Sequence, residues 1–221
     1  MTKTPTPLIA GVIFTRTDLR RAVRMRNPPD LFELRLDALF PRCEEVDATL
    51  RHLRAPLIMT ARHPREGGTN QLSLLKRRAL LLRFLPHAAY VDIELRSAGA
   101  FGAILEAARA KKIRIIVSFH DFNGTPPRSR LDEIARTAKS LGADLLKIAT
   151  RTDTSAQLAR LRDFFQRERL DMKIAAMGVG RLGRASRLEF ARLCSDLNYG
   201  HLGTPQIDGQ LSIRQLRRLL Q

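Results

Sequence analysis

Short apolar runs bounded by turn residues alternate along this chain with stretches in which apolar residues recur every three or four positions. The runs are Leu8–Phe14, Leu31–Asp37, Leu57–Ala61, Ala89–Glu94, Ile113–Phe119, Asp144–Ile148, Lys173–Ala176 and a weaker one at Asn198–Leu202. The helically spaced stretches lie near Asp18–Arg26, Glu44–Arg54, Ser73–Leu85, Ala100–Lys112, Arg128–Leu141, Ser155–Arg169, Ser186–Leu193 and Ser212–Leu220. Short runs flanked by breakers predict strands, and a period near 3.6 predicts helices. Their strict alternation predicts parallel strands joined by crossover helices. Eight such units in 221 residues fit one closed (β/α)8 barrel, a TIM barrel, over 1–221. The alternative is an open doubly wound sheet. That fold announces a dinucleotide site with a glycine-rich turn after its first strand, and Phe14-Thr15-Arg16-Thr17 contains no glycine.

The barrel turns the strand pattern into a test, because alternate residues face inward and active-site groups sit at the C-terminal strand ends. In the second run Glu33, Arg35 and Asp37 share one face, while Phe32, Leu34 and Leu36 share the other. With the apolar side against helices, the charged side points into the barrel mouth, where burial is costly unless the groups are paired or used. A wet edge strand is the competing explanation. Arg62 and Glu66 fall at the end of the third run and in the loop that follows it, where Gly67 and Gly68 permit a tight turn. Asp92 and Glu94 share one face of the fourth run, as ties within the barrel or as part of its chemistry. In the fifth, Ile116, Ser118 and His120 alternate, so His120 stands at the strand tip; a lone histidine there is more often structural than catalytic.

The sixth run, Asp144-Leu145-Leu146-Lys147-Ile148-Ala149, carries a lysine inside an apolar segment. Lysine is rarely buried without a partner or a task. Desolvation would make it a neutral amine able to attack a ketone and form an imine, with His120 on the neighbouring strand as a proton shuttle. The remaining histidines, His52, His63, His87 and His201, show no ligand spacing, so no metal site is expected.

Charge changes the picture less than its size suggests. The balance is +17, from 39 basic against 22 acidic residues; seven of the basic residues are lysines, and the 32 arginines are scattered. In Ser73–Leu85 the apolar Leu75, Ala79 and Leu82 define an inward stripe, with Lys76, Arg77 and Arg83 on a solvated face. The last helix repeats the pattern, with Ser212 as N-cap, Ile213, Leu216 and Leu220 inward and Arg214, Arg217 and Arg218 outward. Aromatic residues make up 5% and tryptophan is absent, a poor supply for base stacking. A specific nucleic-acid partner is therefore not expected, although a polyanion binder stays open as a competing class. Cys43 and Cys194 suit reduced core residues, and Leu8–Phe14 is too short for a signal-peptide core or a membrane span. A cytoplasmic protein with no membrane partner is expected; the sequence leaves a homodimer open.

Several segments, taken in order, resemble the type I 3-dehydroquinate dehydratase family. They are Phe-Glu-Leu-Arg-Leu-Asp at 32–37, Thr-Ala-Arg through Glu-Gly-Gly at 60–68, Ser-Phe-His-Asp-Phe at 118–122, Leu-Lys-Ile-Ala at 146–149, Ser-Arg at 186–187 and Gly-Gln-Leu-Ser at 209–212. The resemblance implies a (β/α)8 lyase of the shikimate pathway that dehydrates 3-dehydroquinate to 3-dehydroshikimate without metal or organic cofactor. It implies Lys147 as the Schiff-base lysine, His120 as general acid and base, and Glu66 as the carboxylate that orients the imidazole and favours its charged form. It places Glu33, Arg35 and Arg62 around the ring hydroxyls, Arg187 on the substrate carboxylate, and Gln210 in the covering loop. Arg35, Arg62, Arg187 and Lys147 would then form a positive mouth that aids capture of an anion. Two departures stand out. Met177–Ala185 looks slightly longer than the family's usual loop, and Gln206 stands where many members carry a substrate-touching serine whose hydrogen bond an amide can also donate. A class I aldolase on the same barrel is the rival enzyme; Gly178, Gly180 and Gly183 are its only hint of a phosphate loop.

Overall fold

The computed structural model describes residues 7–220; the ends of the expected 1–221 domain, residues 1–6 and 221, lie outside the described residues. Its eight strands are β1 (Leu8–Ile13), β2 (Leu31–Arg35), β3 (Leu57–Thr60), β4 (Tyr90–Glu94), β5 (Arg114–Asp121), β6 (Leu145–Arg151), β7 (Ile174–Val179) and β8 (Leu197–His201). All the ladders are parallel, in the order β7-β6-β5-β4-β3-β2-β1-β8. The seam between β7 and β8 is bridged differently. The Asp196 amide donates to the Ile174 carbonyl at 3.0 Å, and the Ile174 and Ala176 amides donate to Asp196 Oδ2 and Ser195 Oγ at 2.9 and 3.3 Å.

The helices are α1 (Arg16–Arg24), a single turn α2 (Leu36–Leu39), α3 (Cys43–Thr49), α4 (Leu74–Phe84), α5 (Gly102–Ala110), α6 (Arg128–Ser140), α7 (Ser155–Glu168), α8 (Gly183–Arg192) and α9 (Ile213–Leu220). The short α2 was not expected; it takes Leu36 and Asp37 out of the second predicted run. Ser212 caps α9 by accepting from the Gln215 amide, and α7 opens on a reciprocal box between Thr154 and Gln157.

Two cores follow from the alternation. Outward-facing strand residues such as Phe32, Leu34, Met59, Val91, Ile93 and Val117 meet the helices in one continuous apolar layer. The inward residues Ala10, Leu31, Ile58, Tyr90, Ile116, Leu145, Ala175, Leu197 and Tyr199 plug the barrel. Strand β2 is thus no wet edge, since its Phe32 and Leu34 face helices and its charges face the axis.

Two expectations, on α4 and on the cysteines, are corrected. The stripe assigned to α4 is the wrong one: Leu75 is 66% and Leu82 47% exposed, whereas Leu80, Leu81, Phe84 and Arg77 are buried, Arg77 to 1% exposure. The helix is rotated because three large apolar residues on that side bury more surface than the predicted set. Within Met177–Ala185, β7 continues to Val179 and α8 begins at Gly183, so residues 180–182 connect them. Cys43 and Cys194 are free thiols as expected, but they lie half-buried at the surface instead of in the core.

Candidate active site

Above the apolar plug, successive inward positions turn charged. The register of β4, β5 and β6 sets Glu94, Ser118 and Lys147 side by side. Lys147 is 5% exposed, and its Nζ lies 2.9 Å from Glu33 Oε1 and 3.1 Å from Asp92 Oδ2, with the Tyr199 ring centroid at 3.8 Å. Two carboxylates surround this amine, not the apolar shell that the sequence suggested. Arg62, buried just past β3, donates to Asp92 Oδ2 at 2.7 Å and to Ser118 Oγ at 2.6 Å, and reaches Glu94 Oε1 at 3.4 Å.

Burial alone would raise the Asp92 carboxyl, but Arg62 and Lys147 beside it hold it far below the usual carboxylate range. Burial would likewise weaken the Arg62 charge, yet Asp92, Glu94 and Glu33 hold its guanidinium more firmly protonated than usual. Arg35 closes a second pair at the rim through Asp37 at 2.9 and 3.0 Å. Burial works against the Asp37 charge too, and Arg35 with the Thr69 and Arg62 amides outweighs it, so this carboxyl is lowered.

Glu66 sits on a short 3-10 turn, Pro64–Glu66, stopped by Gly67 at φ +82°; a Cβ on Gly68 would lie 2.2 Å from the Arg62 carbonyl oxygen. The turn aims Glu66 Oε2 at His120 Nδ1, 2.8 Å away, while Arg96 holds Oε1 at 2.9 Å. Burial, helped by Glu94, pushes the Glu66 carboxyl up to about 7 against the pull of Arg62 and Arg96. His120 is pushed well below its ordinary value by burial and by the Arg62 and Lys147 charges, with only Asp92 opposing. These surroundings favour the neutral imidazole. Burial first, and then these cations, work against the charged ring that Glu66 was expected to favour. With Nδ1 engaged, Nε2 is left for a ligand.

Across the mouth, Arg187 rises from the first turns of α8. Ser186 anchors that turn to β7, accepting from the Gly178 amide at 2.8 Å and donating to the Gly183 carbonyl at 2.7 Å. Arg187 is 7% exposed and makes no ion pair among the described residues; its Nε is buried without a partner, and its Nη1 has only Met177 Sδ at 3.7 Å. Burial alone lowers its pKa to about 10.

The loop after β8 folds over with the Gln206 amide donating to Gln210 Oε1 at 2.8 Å. Gln206 Nε2 donates to the Thr204 carbonyl at 2.5 Å, so its unpartnered buried atom is the acceptor Oε1. That bond uses one of the two hydrogens on the amide nitrogen and leaves the other able to donate.

Glu33, Arg35, Arg62, Glu66, His120, Lys147, Arg187, Gln206 and Gln210 all line one cavity of about 270 Å³. Every site residue singled out in the sequence is thus brought to one place. Sequence reasoning missed Tyr199 against Lys147, Phe122 and Met177 on the wall, and the role of Ser118 in holding Arg62. Alternation along the weak eighth run, Leu197, Tyr199, His201, was the one signal for Tyr199.

A closed-form parallel barrel with a buried, carboxylate-paired amine facing a neutral histidine defines an enzyme of the (β/α)8 lyase class. The chain belongs to the type I 3-dehydroquinase family, whose model matches residues 15–221. It is 34% identical over 220 residues to the 3-dehydroquinate dehydratase of Thermococcus gammatolerans, covering 96% of this chain and 97% of that one. It superposes on the 3-dehydroquinate dehydratases of Geobacillus kaustophilus HTA426 (TM-score 0.85, 26% identity, 97% and 90% coverage) and Aquifex aeolicus VF5 (0.80, 26%, 96% and 96%). Among the described residues, no helix is long and apolar enough to cross a membrane.

Proposed function

We propose that this pocket carries out the hydro-lyase reaction of the family, 3-dehydroquinate to 3-dehydroshikimate and water, through an imine on Lys147. The observation that carries this reading is the convergence of one buried amine, one neutral imidazole and one unpaired buried arginine on a single cavity. Lys147 must shed a proton before it attacks the C3 ketone. Glu33 and Asp92 are already committed to ion pairs, so neutral His120, on the neighbouring strand one inward position further along, is the available base.

Attack gives a carbinolamine, and loss of its hydroxyl as water gives the iminium, an electron sink that acidifies the C2 proton. His120 Nε2 takes that proton and returns it to the C1 hydroxyl, which leaves as the product water. The water released on forming the imine is taken up again when the imine is hydrolysed. Arg187 binds the substrate carboxylate, a bidentate match for its fork. Glu33, Arg35 and Arg62 line the ring hydroxyls, with Gln206 Oε1 as an acceptor above them and Gln210 holding the loop.

Borohydride added with 3-dehydroquinate is expected to leave a stable adduct that peptide mapping locates on Lys147, alongside a near-ultraviolet enone absorbance in untreated turnover. Wild-type turnover by Lys147→Ala would sink the assignment.

A further inference from the structure

We propose that Arg77, on helix α4 outside the barrel wall, is a positioning residue for the reaction: through Glu94 it keeps Arg62 on Asp92 and balances the charge around Lys147. The inference rests on Lys147 being the imine-forming amine.

Arg77 is an arginine where a surface helix ordinarily buries an apolar side chain. Its plane lies over the Phe101 ring, with 5.0 Å to the centroid. Its Nε donates to the Ala61 carbonyl at 2.7 Å; its Nη2 donates to Glu94 Oε2 and, at 3.2 Å, to Ser97 Oγ. Stability alone does not call for such a group, since a well-packed apolar replacement of a buried ion pair is often neutral or stabilising. What Arg77 touches is more telling. The Ala61 carbonyl immediately precedes Arg62, and Glu94 Oε1 accepts from the His63 amide at 2.8 Å and faces Arg62 Nη1 at 3.4 Å. The Ala61–His63 segment that carries Arg62 is therefore held at both ends by the Arg77–Glu94 pair.

The pair continues inward without a break, from Glu94 to Arg62, Asp92, Lys147 and Glu33. Three cations, Arg77, Arg62 and Lys147, meet three carboxylates, Glu94, Asp92 and Glu33, so the buried cluster is neutral. The charges around it are occupied elsewhere. Arg96 is taken by Glu66, Arg35 by Asp37, His120 is neutral, Tyr199 offers Lys147 only its ring face, and the half-buried His63 gives Glu94 its backbone amide. No other group replaces Arg77. Without it, Glu94 has only Arg62 as a cationic partner and draws it from Asp92. Asp92 is then left to Lys147, whose proton is held harder, and the neutral amine needed for attack becomes scarcer at a given pH.

The test is the pH dependence of kcat and of borohydride-trapped adduct in a single turnover, for wild type, Arg77→Met, Arg77→Lys, Glu94→Gln and the double variant Arg77→Met/Glu94→Gln. Removing the positive charge is expected to move the rising limb up by about one pH unit, the scale for a charge partner lost at close range. Turnover at neutral pH then falls about tenfold and converges on wild type at high pH. Arg77→Lys, which keeps the charge but not the fork, recovers part of the shift. Glu94→Gln moves the limb the opposite way, and the double variant, which removes one charge of each sign, returns it toward wild type. A uniform loss at every pH with no displacement of the limb overturns the proposal. If Arg77→Met does not fold, Glu94→Gln decides it, since a limb that stays put or moves up is equally fatal. Absence of any trapped adduct on wild-type Lys147 removes the amine assignment itself, and the inference with it.

Discussion

The two sides of this barrel mouth use arginine in opposite ways. On the β2–β6 side Arg62 is saturated by Asp92, Ser118 and Glu94 in a cluster whose charges cancel. On the β7–α8 side Arg187 stands alone, with a buried Nε that meets no protein acceptor. A balanced cluster exerts little attraction at a distance; it orients side chains and tunes a proton. An uncompensated buried guanidinium costs the free protein stability and is repaid when an anion arrives. The positive mouth expected from Arg35, Arg62, Lys147 and Arg187 together is therefore wrong in its sum, because three of the four are neutralised by Asp37, Asp92 and Glu33. On the proposed reading, capture of the carboxylate falls to Arg187.

The comparison can be broken most severely at its centre. Lys147→Ala is expected to lower turnover by at least about 10⁴, the scale for losing a covalent nucleophile, and to abolish borohydride trapping. His120→Ala should cost about 10² to 10⁴ in kcat, measured under saturating substrate. The two arginines then separate the two sides. Arg62→Met leaves three buried carboxylates short of a partner and should destabilise the fold by about 3–5 kcal/mol in denaturant titration. Arg187→Met should leave unfolding of the free protein unchanged or shifted upward, while kcat/KM falls by the equivalent of about 2–4 kcal/mol as KM rises. Equal destabilisation by both would erase the distinction.

Glu66 sharpens it further. Its folded pKa of about 7 lies above the 4.5 of the unfolded chain, so the folded state binds the proton more tightly. That contribution is present below about 4.5 and is lost as pH rises through about 7. Glu66→Gln should match wild type near pH 4 and gain on it by about 3 kcal/mol above neutrality, read from chemical denaturation across pH. His120 slopes the other way, since its lowered value makes the folded state refuse a proton that the unfolded chain accepts below about 6.5. The smallest effect is expected outside both regions. Leu75→Gln, on the exposed face of α4, should change stability by less than about 0.5 kcal/mol.

Much of the site was legible because a strand reports its own faces. Glu33 and Arg35 alternate with Phe32 and Leu34, and once the sheet closes only one face of β2 can reach the axis. The same reasoning placed His120 and the Asp92–Glu94 pair, whereas Lys147 stood out as a lysine within an apolar run. Helix α4 was misread for the complementary reason. Its sequence supports two stripes, one through Leu75, Ala79 and Leu82 and one through Leu80, Leu81 and Phe84, and only the first was read, with Arg77 assigned to the solvated face. Propensity and period do not record that an acceptor such as Glu94 waits on the far side.

What the sequence by itself determined was periodic and local: eight strand–helix units, the face on which each charge lies, and the short motifs that mark the family. Tertiary structure decided the phase of α4, the pairing of Lys147, the neutrality of His120 and the isolation of Arg187. Lys147 and Glu33 are 114 residues apart in sequence and 2.9 Å apart in the barrel. A charge state depends on which groups share its low-dielectric surroundings, and that list exists only after the chain has closed.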